Sequence, residues 1–183
     1  MPLANILQDK VHPNTITLSA LLVGLIASFF ISIDFRITAV MLLFVSGYLD
    51  ILDGSIDRIR QTSSQIGTML DILSDRLVES AIVIGLFIRQ PELGLVALLM
   101  MMSMLICVLS FLLVGIFIEN NGQKSFHYSD GLMERGEAFI LFIIMIIWPQ
   151  ICFVIGILFA ILVFWTAFYR VYEFTKNSIQ ETK

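Results

Sequence analysis

The sequence predicts an all-α integral membrane protein with six transmembrane helices, and three observations predict it. Of its 183 residues, 58% are hydrophobic and 14% charged, with a mean hydropathy of +0.92. That is far too apolar for a water-soluble domain of this length. A bilayer core needs roughly 20 apolar residues per helix, so the length accommodates about six spans with short connections. Finally, the apolar stretches are punctuated by brief polar or proline-containing breaks, where helices in a membrane must stop.

Residues 1–13 carry Leu3, Ile6, Leu7 and Val11 among polar neighbours and end at Pro13. They read either as a short interfacial helix or as a frayed terminus. Span one is expected over residues 16–33, followed by a tight turn at Asp34-Phe35-Arg36. Span two covers 37–60, and Gln61-Thr62-Ser63-Ser64 forms a polar loop. Span three covers 65–88, and Arg89-Gln90-Pro91-Glu92 turns into span four, 93–118. Residues 119–130 make the longest polar loop. Span five covers 131–148, Pro149-Gln150 turns the chain, and span six covers 151–174. Without internal repeats or a separate soluble segment, residues 1–183 read as a single membrane domain.

The formal net charge is −4, mostly from one acidic cluster, and no basic run points to nucleic acid. Cys107 and Cys152 fall inside apolar runs and read as packing residues. The N-terminus lacks a basic n-region and a small-residue cleavage site, so the first span is expected to be retained. Six alternating crossings put the polar ends of spans two, three, five and six on one side. Lys10, Arg58, Arg60, Lys124, Arg135, Arg170, Lys176 and Lys183 share that side, against Arg36 and Arg89 on the other. Basic excess marks the cytoplasmic face, so both termini and the acidic cluster are expected there.

The acidic cluster is the centre of the chemistry. Asp50 and Asp53 lie three apart at the end of span two, and Asp71 and Asp75 lie four apart in the first half of span three. On helices, each pair shares a face. Carboxylates near a bilayer are costly and should turn inward. Four together cannot all stay ionised without a cation, and hard oxygen donors suit Mg²⁺, Mn²⁺ or Ca²⁺. The full run is Asp50-x2-Asp53-Gly54-x2-Asp57-Arg58-x8-Gly67-x3-Asp71-x3-Asp75. It resembles the signature of the CDP-alcohol phosphotransferase family, matching every gap and departing only at Asp57, where the family has alanine. Pro13-Asn14-Thr15-Ile16-Thr17 resembles the start of the family's first membrane helix, and Gly131-Leu132-Met133-Glu134-Arg135 that of its fifth.

The resemblance implies a metal-dependent transferase of phospholipid biosynthesis. It would move a phosphatidyl group from CDP-diacylglycerol to a small alcohol and release CMP, and would work as a homodimer. By the same resemblance Asp50, Asp53, Asp71 and Asp75 hold a two-metal site, and Asp75 is the general base. Gly54, Asp57, Arg58 and Gly67 are assigned to the nucleotide. Asp57 shares its helix face with Asp50 and Asp53, and three roles are open to it: a further metal ligand, an acceptor for the cytosine amine, or a partner for Arg58. Lys124, Arg135 and Arg170 are expected to bind the acceptor through a phosphate. An unphosphorylated acceptor such as serine is the alternative within the family. A divalent-cation transporter built on the acidic pairs is the alternative outside it. Among the other residues, Arg76 and Glu79 should pair (i, i+3), and Gly24, Gly85, Gly94 and Gly156 should serve close helix packing. His12 and His127 read as solvated.

Overall fold

The computed structural model describes residues 12–60, 64–117 and 135–181. Among these, the chain is all-helical, with α1 Pro13–Ser32, α2 Arg36–Arg60, α3 Gln65–Arg89, α4 Gly94–Phe117, α5 Arg135–Ile147 and α6 Cys152–Glu181. Single 3-10 turns at Pro91–Leu93 and Pro149–Ile151 join α3 to α4 and α5 to α6. The expected breaks at Asp34-Phe35-Arg36, Arg89-Gln90-Pro91-Glu92 and Pro149-Gln150 therefore fall where the prolines and polar residues put them. Residues 1–11, with most of the proposed interfacial helix, lie outside the described set, as do residues 61–63 of the first polar loop, the loop 119–130 with Lys124 and His127, and the expected start of span five at Gly131. α6 is longer than its apolar run. It continues past Phe174 to Glu181 because no glycine or proline follows Gly156 to stop it.

Four helices, α1, α2, α4 and α6, are long and apolar enough to cross a membrane, and α5 is a shorter apolar helix. α3 is not among the four, since it carries Asp71, Asp75, Arg76, Glu79 and Arg89 in its 25 residues. Many large apolar side chains face outward. On α1 these include Leu22 (60% exposed) and Phe29 (60%), and on α4 Leu95 (70%) and Leu98 (69%). A water-soluble bundle would turn such residues inward, whereas lipid is a suitable solvent for them.

The chain divides into two compact units, Met1–Glu92 and Leu93–Lys183. In the first, α1 packs against both α2 and α3, while the backbones of α2 and α3 approach each other far less. Small residues allow the close contact. A Cβ on Gly24 would come within 2.6 Å of Val78 on α3 and 3.1 Å of the Ser46 hydroxyl on α2, and one on Gly85 would come within 2.7 Å of the Ser28 carbonyl oxygen. The Ser46 hydroxyl donates to the Ala20 carbonyl at 2.8 Å, and the Ser28 hydroxyl donates to the carbonyl of Ala81. In lipid, where burial of apolar surface gives helices no reason to associate, this combination of small residues and interhelical hydrogen bonds is what holds them together.

The α1–α2 turn is a helix stop of defined form. Asp34 adopts φ 61°, the left-handed region. The Asp34 N–H donates to the Ile31 carbonyl at 3.0 Å, and the Phe35 N–H to the Phe30 carbonyl at 2.9 Å. These two bonds are the Schellman pair, and the Phe30 and Phe35 rings, 6.2 Å apart edge to face, supply its apolar contact. Asp34 occupies the position usually given to glycine. Its carboxylate is gripped by Arg36 at 2.8 Å, and Arg89 at the end of α3 stands 3.6 Å away.

In the second unit, α6 packs on α4 and α5. Gly156 lies so close to Val96 that a Cβ would overlap it. Phe142 and Phe159, both buried, stack at 5.2 Å. Cys107 and Cys152 are free thiols, and Cys152 is spent on packing, with its thiol donating to the Met145 carbonyl at 3.0 Å.

Candidate active site

The site is built at one end of the first unit. α1 begins there, α2 ends there and α3 begins there, because the three helices alternate in direction. Pro13 occupies the first turn of α1, where its fixed φ and missing N–H cost nothing. Ser64 caps α3, its side chain accepting from the Gly67 N–H at 3.0 Å.

Asp50 and Asp53 project from α2, and Asp71 from α3. Each offers a carboxylate oxygen, and the three oxygens lie within 4.8 Å of one another. Asp53 is buried, Asp50 half-buried and Asp71 exposed, so the cluster runs from the interior of the unit to its surface. Asp75, one turn further along α3, is half-buried. Oxygens sharing one hard cation with bonds of about 2.1–2.5 Å stand about 3–5 Å apart. The spacing and the all-oxygen donor set therefore fit Mg²⁺ or Mn²⁺.

Beyond the aspartates, α1 supplies residues to which sequence reasoning gave no individual role. The Thr17 hydroxyl donates to Asp53 Oδ2 at 2.5 Å, with Thr17 itself 5% exposed. This buried bond fixes one oxygen of the carboxylate and so the direction of the other. Asn14 also points into the site. The position a Cβ would take on Gly67 is 3.1 Å from Ser64 Oγ, 3.5 Å from Asn14 Oδ1 and 3.9 Å from Asp57 Oδ2. The three-residue spacing of Asn14 and Thr17 places both on one face of α1, but nothing in the sequence ties that face to the aspartates.

Of the two signature glycines, Gly54 differs from the packing glycines. A Cβ on Gly54 would meet no atom of the described residues within 4 Å, unlike Gly24, Gly85 or Gly156. Helix packing among the described residues does not account for a glycine there. Arg58 is exposed on α2. Arg76 and Glu79 make the expected pair, at 2.7 and 2.9 Å, and keep the buried Glu79 compensated.

Arg170, in the second unit, is held against α4. Its Nη1 donates to the Cys107 carbonyl and the Ser110 hydroxyl, each at 3.1 Å. Its guanidinium lies 5.4 Å from the centre of the Phe111 ring. Arg135 begins α5.

Fold and site together define an all-helical membrane protein with an acidic centre where two of its helices meet. The model of the CDP-alcohol phosphatidyltransferase family matches residues 10–169, and the chain belongs to that family. The inner membrane protein YnjF of Escherichia coli (strain K12) is 28% identical over 180 residues, covering 93% of this chain and 87% of the relative. The archaetidylinositol phosphate synthase of Pyrococcus horikoshii is 29% identical over 168 residues, covering 91% of this chain and 85% of the relative. Phosphatidylinositol phosphate synthase of Mycobacterium tuberculosis with CDP-DAG bound matches with a TM-score of 0.76 at 18% identity, over 94% of this chain and 92% of that one. The same synthase in complex with manganese and citrate also gives 0.76 at 18% identity, over 94% of this chain and 87% of that one. At these identities the structural likeness speaks to the fold.

Proposed function

We propose that this protein transfers the phosphatidyl group of CDP-diacylglycerol to a small alcohol and releases CMP. The observation that carries this reading is the convergence of Asp50, Asp53 and Asp71 from two helices of one unit, in a chain of this family. Asp50, Asp53, Asp71 and Asp75 would hold one or two divalent cations, whose Lewis acidity supplies charge neutralisation at the donor diphosphate. Asp75 takes the proton of the acceptor hydroxyl as that oxygen bonds to phosphorus and the bond to the CMP oxygen breaks. Arg58 offers a planar fork of donors to the diphosphate. Gly54 leaves backbone bare for the nucleotide, and Gly67 and Asp57 complete its contacts at the ends of α3 and α2.

The acceptor in this proposal is a phosphorylated alcohol, read from Lys124, Arg135 and Arg170. The site faces the cytoplasm, as the distribution of basic residues favours. The two compact units serve as one phosphotransferase domain, and the protein works as a homodimer. A lipid donor suits a site at the membrane edge, since its acyl chains stay in the bilayer while the nucleotide meets water. The divalent-cation transporter draws no support from the family match or the fold likeness.

The test is CMP release by the detergent-purified protein from radiolabelled CDP-diacylglycerol and Mg²⁺. Glycerol 3-phosphate, inositol phosphate, serine and choline are offered in turn. Turnover with a phosphorylated alcohol that stops on chelation is expected. Turnover of serine or choline alone would remove the acceptor phosphate from the proposal, and no CMP with any acceptor would remove the transferase.

A further inference from the structure

We propose that Arg76 and Glu79 set the inner limit of the metal centre: Arg76 occupies the deepest carboxylate of α3 and so confines the cations to the aspartates. This rests on the metal-centred reading above. Asp71, Asp75 and Glu79 follow one another at intervals of four residues. They therefore stand as three rungs on one ridge of α3, about 6 Å apart along its axis. Burial deepens with each rung. Asp71 is exposed, Asp75 half-buried and Glu79 only 2% exposed. The first rung already shares a cluster within 4.8 Å with Asp50 and Asp53. Glutamate is one methylene longer than aspartate, so the third rung is within reach of a cation held at the second. Neither spacing nor donor type separates Glu79 from the metal-binding aspartates. Arg76 does.

Arg76 Nη1 stands 2.7 Å from Glu79 Oε2, and Nη2 donates to Oε1 at 2.9 Å. The planar fork thus engages both oxygens of the carboxylate. A carboxylate held in this way has its charge compensated and its oxygens directed at the guanidinium, away from a second cation. Stability does not account for the pair. Two charges on a membrane helix are costly to insert, and a buried ion pair can often be replaced by apolar residues of similar volume without loss. A use at the site does account for it. Without Arg76 the acid ladder continues inward, and a cation can settle one rung too deep, between Asp75 and Glu79, drawing Asp75 away from the acceptor hydroxyl. With Arg76, the ladder closes below Asp75 and a positive charge lies on its inner side. The pair is a positioning device: it acts through the cations and Asp75 rather than on a substrate.

The experiment is Mn²⁺ binding, followed by electron paramagnetic resonance on the detergent-purified protein, for wild type, Arg76→Met, Glu79→Gln and the double variant. Arg76→Met uncovers a third carboxylate and should bind Mn²⁺ about tenfold more tightly. Glu79→Gln leaves the guanidinium uncompensated beside the site and should bind about tenfold more weakly. The double variant carries neither charge and should return to within about threefold of wild type, as should Arg76→Lys, which keeps the charge. CMP release should report the positioning: kcat falls about tenfold in Arg76→Met with KM for CDP-diacylglycerol little changed, and recovers in the double variant. Unchanged Mn²⁺ affinity in both single variants overturns the proposal. So do shifts of the same sign in both, or a double variant no nearer to wild type than either, since a pair that serves only folding gives those patterns. If Arg76→Met does not fold, Arg76→Gln, whose amide still donates to Glu79, should shift affinity in the same direction by less, and no shift there overturns the proposal. A wild type that shows the opposed shifts but releases no CMP leaves this inference standing and removes the transferase. A wild type that binds no Mn²⁺ overturns both.

Discussion

Thr17 is the residue whose replacement separates metal affinity from folding. Thr17→Val keeps the shape but leaves Asp53 Oδ2 without its donor. The Mg²⁺ concentration for half-maximal CMP release should rise about tenfold, the size of one hydrogen bond to a charged group, while Thr17→Ser should stay near wild type. Equal Mg²⁺ titrations for wild type and valine variant would show that the hydroxyl does not position the carboxylate. Asp75→Asn belongs to the same scale. It is nearly isosteric, removes the proposed base, and should abolish CMP release with the elution profile unchanged; substantial turnover at saturating Mg²⁺ would place the base elsewhere. The convergence of Asp50, Asp53 and Asp71 was legible in the sequence because helical spacing fixes which carboxylates share a face. Thr17 was not. It is separated from Asp53 by 36 residues, and no periodicity links one hydroxyl on an apolar helix to a particular carboxylate on another.

Helices meet in this protein through small residues and stop through specific turns, and each can be challenged by one substitution. A methyl group on Gly85 must fit 2.7 Å from the Ser28 carbonyl oxygen, so α1 and α3 have to separate. Gly85→Ala should cost about 1–3 kcal/mol, as overpacking generally does, and lower the thermal midpoint in detergent. Gly54→Ala has open space for its methyl and gains about 1 kcal/mol of helix propensity. It should hold or raise the midpoint while weakening CMP binding. The reverse pattern, a destabilised Gly54→Ala and a tolerated Gly85→Ala, would exchange their roles. At the α1–α2 turn, Asp34→Ala leaves a non-glycine residue at φ 61° without the carboxylate that Arg36 and Arg89 hold. It should be less stable than Asp34→Gly, which relieves the backbone; equal midpoints for the two would mean that the left-handed conformation carries no cost there. The hydrogen bond from Arg36 keeps the Asp34 carboxyl below its ordinary 3.8, outweighing desolvation with help from the charges of Arg36 and Arg89. A group lowered on folding adds stability above its ordinary value and loses it as pH falls through the folded one. These ion pairs should persist at neutral pH and fade only in acid below 3.8. The turn was legible as a turn from its polar residues. Its left-handed aspartate was not, since asparagine and glycine are the usual signals for that conformation.

At the scale of the molecule, composition and breaks were enough to give the six helices of the described residues, because a bilayer leaves a membrane chain few other ways to satisfy its backbone. The reach of α6 to Glu181 was not readable from hydropathy, which reports where lipid ends rather than where a helix does. The polarity of α3 has a consequence for biogenesis. The charges that serve the site also make α3 a poor substrate for the insertion machinery, which weighs each segment as it leaves the ribosome. An aspartate or arginine near a helix centre costs about 2.5–3.5 kcal/mol on that scale, and α3 carries several. Presented alone between glycosylation reporters, α3 should integrate less efficiently than α4. Preceded by α1 and α2 it should recover, since α1 offers Gly24 and Ser28 as a surface already shaped for it. Efficient integration of α3 by itself would show that no such help is needed. On this view the first membrane helix acts before any substrate is present, as an intramolecular chaperone for the helix that completes the acidic centre.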